Sequence, residues 1–161
     1  MLAQSLSLIE DLPWQIILVG DGPARTEIEK AFAPVAQQRV CFCGQLDPLA
    51  TADLLTAADL FTWPAMNEAF GMAILEAHRH GLPVVAGYTD GVATLISDGQ
   101  TGLLTRPPEP MVFASAIRQL LEDPDLRRQM ALSARDKFLE QHDFDAAASR
   151  IHQFLLQVRP C

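Results

Sequence analysis

Lysine is almost absent from this 161-residue sequence: only Lys30 and Lys137 occur, and 20 acidic against 12 basic residues leave a formal net charge of −8. A surface of that sign repels a polyphosphate backbone, which argues against nucleic acid as a partner. Cysteine is as scarce. Cys41 and Cys43 alternate along one apolar run, so they point to one side, and Cys161 ends the sequence. Such a set is no disulfide framework, and a reducing, cytoplasmic setting is expected. No apolar run approaches the roughly 18 residues of a membrane span. The opening Met1-Leu2-Ala3-Gln4-Ser5 has no basic residue, so a secretory signal is not expected there. His78, His80, His142 and His152 show no ligand spacing with the cysteines, so no structural zinc is expected, and no Ser-His-Asp or Cys-His constellation stands out.

What is present is ordinary globular material: 49% hydrophobic and 20% charged residues, enough for one domain over 1–161. Short apolar runs alternate with stretches of helical period. Gln15–Val19, Val40–Cys43, Leu60–Trp63, Pro83–Ala86 and Gly102–Leu104 read as strands covered on both faces. Helices are expected over Leu2–Ile9, Pro23–Val35 (with Ile28, Phe32 and Val35 inward), Leu49–Ala58 (Leu54, Leu55 and Ala58 inward), Met72 to about His80, and Val92–Ile96. From about residue 108 the pattern is helical only: Met111–Leu121, Asp125 to about Gln141, and Asp145–Val158. The expected fold is therefore α/β, a doubly wound, Rossmann-like parallel sheet of about five strands with a helical C-terminal tail packed across it. A doubly wound unit normally opens with a strand, whereas this sequence opens with a helix.

The stretch that organises the rest is Trp63-Pro64-Ala65-Met66-Asn67-Glu68-Ala69-Phe70-Gly71-Met72-Ala73-Ile74-Leu75-Glu76-Ala77. It leaves a strand, turns, and enters a helix, and in open α/β sheets ligands lie outside the carboxyl ends of strands. A helix N-terminus there offers free N–H groups to an anion. Glu68 on the loop and Glu76 inside the helix stand on the order of 10 Å apart at about 1.5 Å of rise per residue. That is too far to serve one reacting carbon and suits two grips on an elongated ligand. Gly20-Asp21-Gly22-Pro23 resembles a dinucleotide turn but holds Arg25 where a third glycine belongs, so a plain tight turn explains it as well. Asp143-Phe144-Asp145 imitates a metal-binding pair; it precedes an apolar-periodic helix, and an N-cap explains it better.

Glu68-Ala69-Phe70-Gly71 followed by Glu76-Ala77 resembles the Glu-x7-Glu motif of retaining, nucleotide-sugar-dependent glycosyltransferases of the GT-B fold, family four. Ala58-Asp59-Leu60-Phe61, Gly81-Leu82-Pro83-Val84-Val85-Ala86, Val19-Gly20-Asp21-Gly22-Pro23 and Asp98-Gly99-Gln100-Thr101-Gly102-Leu103-Leu104 match in order, so the resemblance covers nearly the whole chain. It implies the donor-binding half of a GT-B fold without its first strand, and a donor that is a nucleotide-diphospho-sugar, with no metal or other cofactor required. On this resemblance Glu68 contacts the transferred sugar as the catalytic carboxylate, Glu76 the ribose hydroxyls, and Phe70, Gly71, Met72 and Ala73 the sugar and phosphate oxygens. Gly20, Gly22, Gly44 and Gly91 line the donor loops. The family's Arg and Lys on that first strand, which hold the diphosphate, have no counterpart here. Its Gly-Gly pair followed by Pro-Glu is reduced to Asp90-Gly91 with Thr94 in the Glu position. An isolated chain of this kind is expected to lack turnover, and to dimerise or pair with a further N-terminal domain through an open sheet edge. A non-catalytic nucleotide-binding or scaffold module is the second reading, and a sugar-nucleotide epimerase a third.

Overall fold

The computed structural model describes residues 1–35, 37–65, 68–106 and 109–157. The five expected strands form: β1 Ile16–Val19, β2 Val40–Gly44, β3 Phe61–Trp63, β4 Val84–Gly87 and β5 Gly102–Thr105. All pairings are parallel, with Ile16 opposite Val40, Phe61 opposite Val84, and Val84 opposite Gly102. The strands divide into two sheets, β1-β2 and β3-β4-β5. The α/β, Rossmann-like arrangement thus holds, as two parallel sheets rather than one.

Helices α1 Leu2–Ser7, α2 Arg25–Phe32, α3 Pro48–Ala57, α4 Met72–Arg79, α5 Asp90–Leu95, α6 Pro110–Glu122, α7 Pro124–Gln141 and α8 Phe144–Gln157 alternate with and then follow the strands. Their starts are written in the sequence. Asp47 caps α3 through the Ala50 N–H at 2.8 Å, Thr89 caps α5 through Val92, and Asp123 caps α7 through Leu126. Pro48, Pro110 and Pro124 occupy first-turn positions where no N–H is required.

Two clusters make up the core. Ala3, Leu6, Ile9 and Trp14 join Phe113, Ile117 and Leu120 of α6, with Val85 at the centre and β1 and β2 on the flank. Ile74, Ala77, Val84, Ala86, Val92 and Leu95 form the second, between α4, β4 and α5. Strand β4 is buried at every residue, as an interior parallel strand should be. Gly102 lets β5 approach it: a Cβ there would lie 2.2 Å from the Val84 carbonyl oxygen.

Several inward expectations fail. Ile28 is exposed, whereas Phe32 of α2 and Val35 just beyond it are buried as expected. Pro23 precedes α2, which starts at Arg25. No residue of α3 is buried: Leu54 and Leu55 are half-covered and Ala58 is exposed. Helical period orients a face, but burying it requires a partner, and α3 has little beneath it. The tail is split in the same way. Helix α6 lies on α1, β4 and β5 and α7 on α4, while α8 packs chiefly on α7 and leaves Ile151, Phe154 and Leu155 exposed. The expected end of that helix, Val158, and Cys161 lie outside the described residues. None of the described helices is long and apolar enough to cross a membrane.

Candidate functional site

Within each parallel sheet the strands end on one edge, so the loops after them gather there. β1 ends in Gly20, whose φ of 124° suits glycine, and its N–H donates to the Gly44 carbonyl at 2.7 Å. Those two glycines therefore tie β1 to β2. The Asp21 carboxylate accepts the Gly22 N–H at 2.8 Å, and Arg25 lies across the turn, 3.8 Å from Asp21 and 2.8 Å from Glu29. A cleft of about 290 Å³ opens here, lined by Leu18, Val19, Gly20, Asp21, Arg25 and Phe42. A second cleft of about 390 Å³, between Asp59, Leu82 and Arg127, lies where β3 and β4 begin. That is the wrong edge for a doubly wound ligand site.

The loop after β3 is self-braced. The Glu68 carboxylate accepts the Phe70 N–H at 3.2 Å through Oε1 and the Trp63 indole N–H at 3.3 Å through Oε2. Ala65 takes a left-handed φ of 54°, and the Glu68 N–H donates to its carbonyl. Met66 and Asn67 of the expected motif lie outside the described residues. Gly71 follows with φ 95° and heads α4, in a conformation that a side chain rarely adopts. The Met72 and Ala73 amides lead that helix, where no intrahelical acceptor exists. Glu76 is exposed, with no ion pair to Arg79 or to His80.

Gly91, the glycine that survives of the resembled pair, is fixed by sterics. A Cβ on it would fall 1.8 Å from the Ala69 carbonyl oxygen and 3.1 Å from the Phe70 Cα. It is the seat on which the Glu68 loop rests. Thr94, in the position where the resembled pattern has Glu, donates its hydroxyl to the Gly91 carbonyl at 2.7 Å. Asp90 accepts a hydrogen bond from the Tyr88 hydroxyl, and Arg106 at the end of β5 stacks over the Tyr88 ring. Sequence reasoning overlooked Tyr88 and Arg106 because they come from two different strand ends. It also overlooked Trp63, although an indole at a strand end five residues before Glu68 was a readable signal.

The structure thus brings Glu68, Phe70, Gly71 and Gly91 into one loop assembly at the head of α4, and Gly20, Gly22 and Gly44 into another at the end of β1 and β2. No hydrogen bond among the described residues links the two. Asp143 stands one residue before α8, and its carbonyl accepts the Ala147 N–H. No three His, Cys, Asp or Glu side chains among the described residues converge as a metal site would require.

A Rossmann-like fold with two groups of glycine-turned loops at its strand ends is a class of nucleotide-binding architecture. Comparison with known proteins narrows the class. The profile of the family described as "Glycosyl transferases group 1" matches residues 1–123, and the chain belongs to that family. Among curated relatives, the alpha-D-kanosaminyltransferase of Streptomyces kanamyceticus is 33% identical over 138 residues, which cover 85% of this chain and 36% of the relative. The D-inositol 3-phosphate glycosyltransferase of Corynebacterium diphtheriae is 34% identical over 137 residues, 82% of this chain and 32% of that protein. The chain therefore spans about a third of the length of these relatives. Among solved structures, sucrose-phosphate synthase from Thermosynechococcus elongatus superposes with a TM-score of 0.84 at 28% identity, over 97% of this chain and 41% of that one. Anabaena HepE in complex with UDP-glucose gives 0.80 at 27% identity, over 96% and 44%. The chain is a glycosyltransferase domain with the fold of one half of those structures.

Proposed function

We propose that residues 1–161 bind the nucleotide-diphospho-sugar donor of a retaining glycosyltransferase that passes a hexose-type sugar to an acceptor hydroxyl. The observation that carries this is the head of α4. The Met72 and Ala73 amides lead a glycine-started helix, the Glu68 loop stands before them and Glu76 is exposed behind. In this reading the amides meet the diphosphate, Glu76 accepts both ribose hydroxyls, and Glu68 meets the sugar. Gly20, Gly22 and Gly44 line the nucleotide end. On this chain the charge of the leaving group is met by the amides at the head of α4, and no metal or other cofactor is assigned. The UDP-glucose held by HepE makes uridine nucleotides the first donors to test. The free thiols of Cys41 and Cys43 suit a cytoplasmic setting.

We also read the break between β1 and β3 as the seat of a further strand. In a doubly wound sheet of order 3-2-1-4-5-6, five strands counted as the second to sixth part at that place. The unpaired edges there are where a second copy or a further domain of the enzyme would pair. On this reading the 161 residues alone hold donor weakly and do not turn it over. The open edges also leave standing the second reading, a binding module without catalysis.

The test is Glu76→Ala. Glu76 is exposed and makes no side-chain hydrogen bond or ion pair among the described residues, so stability should change by less than about 0.5 kcal/mol. Loss of charged ribose hydrogen bonds should weaken nucleoside-diphosphate binding by about ten- to a hundredfold in calorimetry. Equal affinities for the two proteins would remove Glu76 from the site.

A further inference from the structure

We propose that Trp63 is a positioning residue: its indole N–H fixes the orientation of the Glu68 carboxylate and reports, through its emission, whether that carboxylate is engaged by a sugar. The inference rests on the donor-site reading above. Nothing in the sequence pattern assigns a role to Trp63, the last residue of β3, which half-buries its ring and stacks it on Phe61 at 5.9 Å with planes 15° apart. That packing holds the indole rigidly, and its N–H lies 3.3 Å from Glu68 Oε2. The other oxygen is held by the Phe70 N–H at 3.2 Å, so the carboxylate is gripped from both sides of the loop.

Such a grip leaves the group usable. An ionised carboxylate has about four lone-pair sites, and two are taken, so two remain for hydroxyl donors. What the grip removes is rotation of the side chain, and a preorganised acceptor costs less to order when the ligand arrives. The two clamps differ in kind. The Phe70 amide belongs to the same loop and follows Glu68 wherever the loop goes. The Trp63 indole belongs to the sheet, so of the two it is the one that ties Glu68 to the rigid part of the molecule. At 3.3 Å the bond is just longer than the usual span of about 2.7–3.2 Å for N–H···O, so it orients Oε2 and leaves room beside it for a sugar hydroxyl.

The experiment uses the full chain as wild type, Trp63→Phe, Glu68→Gln and the variant carrying both substitutions. Phe keeps an aromatic ring against Phe61 and removes the N–H donor, and the diphosphate arm below separates the donor's effect from the smaller ring's. The Trp63 emission is taken as the difference between chains with and without Trp63→Phe, which cancels the contribution of Trp14. Its position should differ between chains that keep Glu68 and chains that carry Glu68→Gln, with no ligand present. Identical emission with and without Glu68→Gln overturns the contact and with it the inference. The second arm titrates UDP-, GDP- and ADP-glucose and the corresponding diphosphates. For the donor that binds, Trp63→Phe should weaken the nucleotide sugar by about five- to tenfold while the diphosphate alone binds as to wild type. Equal losses for both ligands would make Trp63 merely structural and overturn the proposal. Binding of none of the six nucleotides would sink the donor-site reading instead, and the ligand-free emission arm would still decide whether Trp63 holds Glu68.

Discussion

Strands β1 and β4 are both four-residue apolar runs, Ile16-Ile17-Leu18-Val19 and Val84-Val85-Ala86-Gly87, and they meet opposite fates. Every residue of β4 is buried, while Ile17 is 50% and Val19 46% exposed. The register explains the pattern. Ile17 pairs with Cys41, so these residues share one face of the two-stranded sheet, and Leu18 pairs with Phe42 on the other, which meets the core. β4 has β3 and β5 beside it, α4 and α5 on one face and α6 on the other; the β1-β2 sheet has a covered face and an open one. Aliphatic composition sets what a parallel strand needs, and neighbours decide whether it is met. The molecule therefore has a packed half, which holds the Glu68 loop and the head of α4, and an open half, which holds Gly20, Gly22 and Gly44.

The sharpest test of that contrast is a pair of glycines. Gly91→Ala places a methyl group within 1.8 Å of the Ala69 carbonyl, and backbone lies on the other side of the clash. The Glu68 loop must move, at about 4 kcal/mol or more of stability in urea denaturation. Gly22→Ala meets nothing within 4 Å, and its stability should stay within about 0.5 kcal/mol of wild type. Similar losses for the two would show that the halves are equally packed.

Acid should also find the packed half first. His78 on α4 is fully buried against α7, and neither ring nitrogen has a partner at hydrogen-bond distance among the described residues. Burial above all pushes its pKa down to about 4, Lys137 and His142 push the same way, and only the Thr101 backbone opposes them. A folded value below the unfolded value of about 6.5 means that the unfolded chain takes the proton more readily. The contribution is intact above about pH 6.5, declines as the pH falls, and is lost in full below about 4, a total of about 3 kcal/mol. His142 and Lys137 are lowered by burial as well, so the group as a whole favours its neutral forms. Between pH 7 and 4.5 the wild type should therefore lose about 2–3 kcal/mol more than His78→Leu, which has no proton to take up. Parallel pH profiles would place the acid sensitivity elsewhere.

How far the sequence could be read follows the same division. All five strands, and the helix from Met72, were legible because aliphatic runs and glycine or proline boundaries are local signals. The glycines of the loops were legible as turns, yet the reason for Gly91 was not, since the Ala69 carbonyl that excludes a side chain comes from 22 residues earlier in the chain. The Glu68 loop could be named as a site, but its bond to Trp63 depends on where β3 ends in space. The inward residues expected for α2 and α3 were met only in part: Phe32 and Val35 are buried and Leu54 and Leu55 half-covered, while Ile28 and Ala58 are exposed. Ile28, Leu54, Ile151 and Phe154 have helical spacing, and spacing specifies which side a residue takes without supplying anything for that side to touch.

A small change in stability, and the most direct probe of the open half, belongs to Ile17 and Val19. Both point away from the core on a strand with one unpaired edge, and an exposed apolar edge of this kind recruits further polypeptide. Replacing both by lysine removes the attraction and adds like charges, the device by which natural sheets keep edges apart. Because the two side chains are already about half in water, their loss should cost less than about 1 kcal/mol in urea denaturation. If a second copy pairs there, wild type self-associates, and Ile17→Lys with Val19→Lys runs as a monomer in light scattering at the same concentration. A monomeric wild type would refute the homodimer. A large loss of stability in the variant would show instead that Ile17 and Val19 support the fold, and the contrast between the two halves would fall with it.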